Sequence, residues 1–154
     1  MKISEIMTKA TVTDSADDTL AEAAARMWNA QTGSLLVMDG DQMLGIVTER
    51  DLLRAVANGQ DPKNVPLKDV MRTDVITTNP QTSLKEAAKL MATKWIRHLP
   101  IVEGGRVVGI ISQRDLTGML AEALHEPEAL HKLVEASSLV RERRLRRIEA
   151  GDLD

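Results

Sequence analysis

Residues 3–56 lie over residues 67–120 at a constant offset of 64 with no gap, so the chain is one unit written twice. The shared positions include Met7/Met71, Thr13/Thr77, Leu20/Leu84, Glu22/Glu86, Ala23/Ala87, Ala24/Ala88, Met27/Met91, Gly40/Gly104, Gly45/Gly109, Ile46/Ile110, Arg50/Arg114, Asp51/Asp115 and Leu52/Leu116. About one position in four agrees, where unrelated stretches of ordinary composition agree at about one in fifteen. A unit of about 60 residues buries too little surface to be secure alone, whereas about 150 residues can hold a proper core. The units are therefore expected to pack as one domain: repeat 1 over residues 1–60, a linker over 61–66, repeat 2 over 67–124 and a helical tail over 125–154.

Each unit opens on a short β-like stretch, Thr11-Val12-Thr13 or Val75-Ile76-Thr77, followed by a polar turn that holds Asn79-Pro80 in the second copy. Capping boxes then predict a helix: Thr19 with Glu22, and Ser83 with Glu86, pair hydroxyl and carboxylate with orphan amides. Leu20, Ala23, Ala24 and Met27, like Leu84, Ala87, Ala88 and Met91, keep helical spacing on one face. Two apolar runs around Asp39-Gly40-Asp41, and two around Gly104-Gly105, predict hairpins. A second helix follows near Glu49 or Gln113, giving the order β-α-β-β-α twice. Beyond residue 120 the duplication stops. Pro127, the stripe Leu130, Leu133, Val134 and Val140, and Gly151 predict a further helix.

With no Phe or Tyr and only Trp28 and Trp95, the interior must be aliphatic and methionine-rich, and a base-stacking platform for nucleic acid is nearly excluded. The two tryptophans read as core or interface anchors. A net charge of −3 with interleaved signs gives no global field toward nucleic acid or a membrane surface. The absence of cysteine removes disulfides, thiol catalysis and thiolate metal sites. No apolar run approaches the roughly 20 residues of a membrane span, and the first residues lack a signal-peptide core. A cytoplasmic protein is expected.

Chemistry concentrates in Gly45-Ile46-Val47-Thr48-Glu49-Arg50-Asp51 and its echo, Gly109-Ile110-Ile111-Ser112-Gln113-Arg114-Asp115. Hydroxyl and acid three residues apart make a capping box, and the same amides and hydroxyl at a helix start can receive phosphate. Aspartate is ill suited to phosphate but accepts ribose hydroxyls well. A strand ending in glycine, two apolar residues and Thr/Ser-x-x-Asp resembles the signature of the cystathionine β-synthase (CBS) domain. The run Arg97-His98-Leu99-Pro100-Ile101-Val102 is similar to that family's middle strand. The resemblance spans residues 3–120. It implies an α+β fold of two β-α-β-β-α CBS repeats packed about a pseudo-twofold axis, with the C-terminal helix added.

It also implies two ligand clefts. In the first, Thr48 and Asp51 would face Val75, Ile76, Thr77, Ile96, Arg97 and His98; in the second, Ser112 and Asp115 would face Thr11, Val12, Thr13, Thr32, Gly33 and Ser34. Arg97 and His98 can meet phosphate, whereas Gly33 and Ser34 bring no cation nearby in sequence, so the Asp51 cleft is the first expected for a nucleotide. In repeat 1, Leu36 stands where the family's strand has proline. Arg50 and Arg114 read as exposed helix-start residues.

The function implied is regulatory sensing of AMP, ADP or ATP, or of S-adenosylmethionine, by a homodimer that passes its state to an unidentified protein. No cofactor beyond the ligand is implied. The alternative is a ligand-independent interaction module acting through the C-terminal helix. No catalytic or metal-binding spacing joins His98, His125 and His131, and no enzyme is expected. The basic run at 141–147 is interleaved with Glu142 and flanked by Glu135 and Glu149, which favours a solvated or subunit-bridging face over a nucleic-acid patch.

Overall fold

Apolar spacing and helix caps place the elements seen in the computed structural model, which describes residues 2–9, 11–123, 138 and 141–150. Repeat 1 runs β1 (Thr13–Asp14), α1 (Leu20–Asn29), β2 (Ser34–Asp39), β3 (Gln42–Thr48) and α2 (Glu49–Ala57). Repeat 2 runs α3 (Leu84–Lys94), β4 (His98–Glu103), β5 (Arg106–Ser112) and α4 (Gln113–Ala123). Both capping boxes form. The Thr19 N–H donates to Glu22 at 2.7 Å and the Glu22 N–H to the Thr19 hydroxyl at 3.3 Å; the Ser83 and Glu86 bonds are 3.0 and 3.2 Å. Helix α1 buries Leu20, Ala23 and Met27, one stripe at helical spacing. Trp28 lies 100° further round and is 76% exposed, so it is no core anchor.

Repeat 1 forms a three-stranded sheet, β1 parallel to β2 and β2 antiparallel to β3. In repeat 2 only the β4/β5 hairpin is a sheet, and the expected opening strand at Val75-Ile76-Thr77 is reduced to one parallel bridge between Thr78 and Ile101. Proline chemistry explains the difference. The Leu36 N–H donates to the Val12 carbonyl at 2.9 Å, but Pro100, 64 residues on, has no N–H to offer Ile76. Thr78 then pairs alone, to the Pro100 carbonyl at 3.1 Å and from the Val102 N–H at 2.8 Å. Ile76 packs with the second core instead. In repeat 1 the pairing also sits later than expected, at Thr13–Asp14 rather than Thr11–Thr13.

Each repeat's core is completed by the leading segment of the other. Ile3, with Ile6 and Met7, packs among Ala87, Met91, Leu99, Ile101 and Ile111 of repeat 2. Val65 and Leu67, with Val70 and Met71, pack among Leu20, Ala23, Met27, Leu35, Val37 and Val47 of repeat 1. Reciprocal backbone bonds fix both crossings: Thr8 and Ile110 exchange bonds of 2.9 Å, and Ile46 and Arg72 exchange bonds of 3.0 Å. The crossing chain lies directly on the strand. A Cβ at Gly45 would come within 2.8 Å of the Arg72 carbonyl oxygen, and one at Gly109 within 2.8 Å of Met7 Sδ and 3.0 Å of the Thr8 carbonyl oxygen. The repeated Gly45/Gly109 and Met7/Met71 are thus two halves of one contact.

His125, His131 and the whole apolar stripe expected of the tail lie outside the described residues. The basic run is helical over 141–150 and exposed apart from half-buried Arg147, whose guanidinium carbon sits 5.6 Å from the Trp95 ring centroid. Replacing Gly45 or Gly109 with Ala is expected to lower stability by roughly 1–3 kcal/mol, the usual cost of overpacking, read as a lowered urea midpoint with unchanged slope. The exposed hairpin glycine Gly104, φ +57°, has nothing within 4 Å of an added Cβ, so its Ala variant would report backbone strain alone.

Candidate functional site

Where each β-hairpin runs into the following helix, the Thr/Ser-x-x-Asp motif closes a capping box. The Thr48 N–H and hydroxyl both donate to Asp51 Oδ2, at 2.7 and 3.1 Å; the Ser112 N–H and hydroxyl donate to Asp115 Oδ2, at 2.6 and 2.7 Å. The motif therefore caps its helix in both repeats. What remains of each carboxylate differs. Asp51 is buried and its Oδ1 accepts from Arg54 at 2.6 Å, whereas half-buried Asp115 keeps an Oδ1 with no partner among the described residues.

The two motifs open onto cavities of very different size. Asp115 and Ser112 line one of about 580 Å³, together with Thr11, Val12, Thr32, Gly33, Ser34, Arg97, His98 and Arg114. Thr48 and Asp51 line one of about 80 Å³, with Ile96, Arg97, His98, Arg50, Arg72, Lys94 and Trp95. The first falls within the usual 300–1,000 Å³ of small-molecule sites; the second has room for a few waters. The larger cavity is the one at Ser112 and Asp115, whereas the Asp51 cleft is the one expected first for a nucleotide. The larger cavity also has two arginines, Arg114 beside Asp115, and Arg97, which sequence distance concealed and which lines both cavities with His98. Thr13, Val75, Ile76 and Thr77 line neither: Thr13 pairs with Leu36 in the sheet, and the segment 75–77 is displaced by the lost strand.

Arg97 and Glu49 join the repeats across the larger cavity. The Gly33 carbonyl accepts from the Glu49 N–H at 3.1 Å, and the Arg97 carbonyl from the Gln113 N–H at 2.9 Å, so equivalent turns are tied in the same way. Arg97 reaches Glu49 at 3.4 Å, both half exposed or more, a contact worth little to stability but one that orients the guanidinium. A Cβ at Gly33 would meet the Glu49 carboxylate at 3.1–3.2 Å, so glycine there makes room for the pair. Ser34 is 3% exposed, and its hydroxyl has no hydrogen-bond partner among the described residues. An unpaired buried hydroxyl is costly unless something else fills it.

Trp95 closes α3 with φ 57°, and Gln31, its equivalent in repeat 1, closes α1 with φ 53°. Both turn the chain sharply into the next strand, and for Trp95 that places the indole on the smaller cavity. A left-handed tryptophan at this point has no sequence cue. Among the described residues no three His, Asp or Glu side chains gather as a metal site, and no helix is long and apolar enough to cross a membrane.

Comparison with known proteins identifies this architecture. The sequence model of the CBS domain matches residues 3–58 and again residues 67–122. The chain belongs to the CBS-domain family. It is 37% identical over 115 residues to the CBS domain-containing protein YhcV of Bacillus subtilis, covering 74% of this chain and 81% of that one. It is 35% identical over 119 residues to an uncharacterized Methanopyrus kandleri protein, covering 75% of this chain but only 61% of that protein's length. A solved CBS-domain protein from Burkholderia ambifaria superimposes with a TM-score of 0.76 at 31% identity, over 82% of this chain and 97% of that one. The CBS domain pair of protein MJ0100, solved with 5′-methylthioadenosine and S-adenosyl-L-methionine, shares the fold at 24% identity with a TM-score of 0.72, over 77% and 98% of the two chains.

His98 carries a pH dependence. Burial, aided by Arg97 and Arg114 and opposed by Glu49 and Asp115, pushes its imidazole below the ordinary value of 6.5. The folded chain then binds that proton less readily than the unfolded chain, so stability is full above 6.5 and is lost as pH falls from there through the folded value. Urea unfolding between pH 8 and pH 5 is expected to show a decline that the H98Q variant lacks.

Proposed function

We propose that this chain is a cytoplasmic regulatory module that binds an adenine nucleotide, AMP, ADP or ATP, or a related adenosyl ligand such as S-adenosylmethionine, in the larger cleft. The observation that carries this is the cavity of about 580 Å³ between the repeats, where an unengaged aspartate oxygen, a helix N-terminus and two arginines converge. Asp115 Oδ1 would accept from ribose hydroxyls while its Oδ2 stays in the cap. Arg97 and Arg114 would meet phosphate, or the carboxylate of an adenosyl amino acid, with the α4 N-terminus behind them. Val12 and Leu36 offer an apolar wall for adenine, and the Ser34 hydroxyl is a ready partner for one of its polar atoms. The adenosyl compounds held by the related pair of MJ0100 support the same ligand class.

The signal would be a change of conformation or assembly passed to another protein, in proportion to the ligand's preference for one state over the other. No catalytic role is assigned to any residue. Calorimetric titration with AMP, ADP, ATP and S-adenosylmethionine tests the reading, and no heat at millimolar ligand would overturn it. D115A should weaken binding about ten- to a hundredfold, the loss of hydrogen bonds to a charged group, while D51A leaves it near wild type.

Self-association is part of this proposal. Trp28 on α1 is 76% exposed, and on α2 Leu53 and Val56, one turn apart on the same side of the helix, are 69% and 61% exposed, apolar surface that a second copy could cover. Sedimentation velocity should show a dimer for the wild type and a monomer for L53E.

A further inference from the structure

We infer that the residue three places after each motif aspartate decides whether that carboxylate can meet a ligand: Arg54 engages Asp51 beside the smaller cleft, and Gly118 at the matching position leaves Asp115 open in the larger one. The inference rests on the ligand reading above. The two positions are equivalent under the offset of 64, and the helices that carry them start in the same way, with aspartate Oδ2 accepting from the capping N–H at 2.7 and 2.6 Å. From the aspartate on, the copies read Asp51-Leu52-Leu53-Arg54 and Asp115-Leu116-Thr117-Gly118, and the fourth position is the one set one turn from the carboxylate with a cation in only one copy. On α2, Arg54 stands one turn after Asp51, at the spacing where helix side chains meet, and donates to Oδ1 at 2.6 Å. With two bonds already made to Oδ2 in the cap, the Arg54 bond takes one of the two lone pairs left on Asp51 Oδ1 and holds the guanidinium where a ligand hydroxyl would approach. A charge-assisted bond of that length is about twice as strong as a neutral one, so a ribose hydroxyl is a poor competitor for it.

On α4 no side chain exists to do the same. Gly118 is exposed, its helical backbone has no positive φ, and an added Cβ meets nothing within 4 Å. Asp115 Oδ1 consequently stays available in the cavity of about 580 Å³, while Asp51 is buried beside one of about 80 Å³. Glycine in a helix interior is the weakest choice short of proline, so Gly118 is retained at a cost to α4 that an open carboxylate would justify. One ligand per chain follows, in the cleft that has both the volume and the open carboxylate.

The test is a reciprocal exchange. G118R places a guanidinium one turn after Asp115 and, having open space and a better helix former, keeps its fold, checked by far-ultraviolet circular dichroism. Titrated with AMP and with S-adenosylmethionine, the wild type is expected to bind one equivalent per chain, G118R to bind at least tenfold more weakly, and R54A, which frees Asp51 beside a cavity of only about 80 Å³, to stay at one equivalent. Wild-type affinity in folded G118R, or two equivalents in the wild type, overturns this inference alone. No heat from the wild type with either probe overturns the ligand reading and this inference together.

Discussion

Two chain crossings hold this molecule together, and each rests on a glycine. Where the leading segment of one repeat lies on the last strand of the other, the backbones approach so closely that a methyl group at Gly45 or Gly109 would strike a carbonyl oxygen or a methionine sulfur. That approach lets Thr8 bond Ile110 and Arg72 bond Ile46, and it delivers Ile3 and Leu67, both fully buried, into cores that their own repeats do not own. Everything functional is downstream of it. The strands so clamped run directly into the helix starts that carry Asp51 and Asp115, so the clefts are positioned by the same contacts that join the repeats.

The capping boxes and the hairpins were legible because each is a local pattern, readable within about ten residues, and the duplication because it runs without a gap at one offset of 64. The exchange of leading segments was not, since nothing in Ile3 or Leu67 says which core it will enter; only the paired identities Met7/Met71 and Gly45/Gly109 hint at a shared contact. Thr11, Val12, Thr32, Gly33, Ser34, Ser112 and Asp115, grouped from the sequence, do line one cavity, and Arg97 joins them there although it stands 64 residues from Gly33, a neighbour that sequence distance conceals. The strand expected at 75–77 failed for a cause also far away in the chain: the missing N–H of Pro100.

Symmetry in this fold is a property of the backbone, and asymmetry is written in a few side chains. Leu36 against Pro100 decides whether the opening strand forms, and Arg54 against Gly118 decides whether the motif aspartate is already engaged. Gly33 against Arg97 sets the charge at equivalent turns, with Glu49 lying against the glycine and reaching the arginine. A duplicated domain can thus keep two cavities as architecture while only one has the volume and the open groups to hold a small molecule.

Arg97 lies on both cavities, yet it is a single cation. An anion that draws the guanidinium to one side takes positive potential from the other and frees the Glu49 carboxylate at the same moment. The clefts are therefore coupled in their electrostatics even if only one is ever filled: a charge brought to one cavity changes the potential in the other.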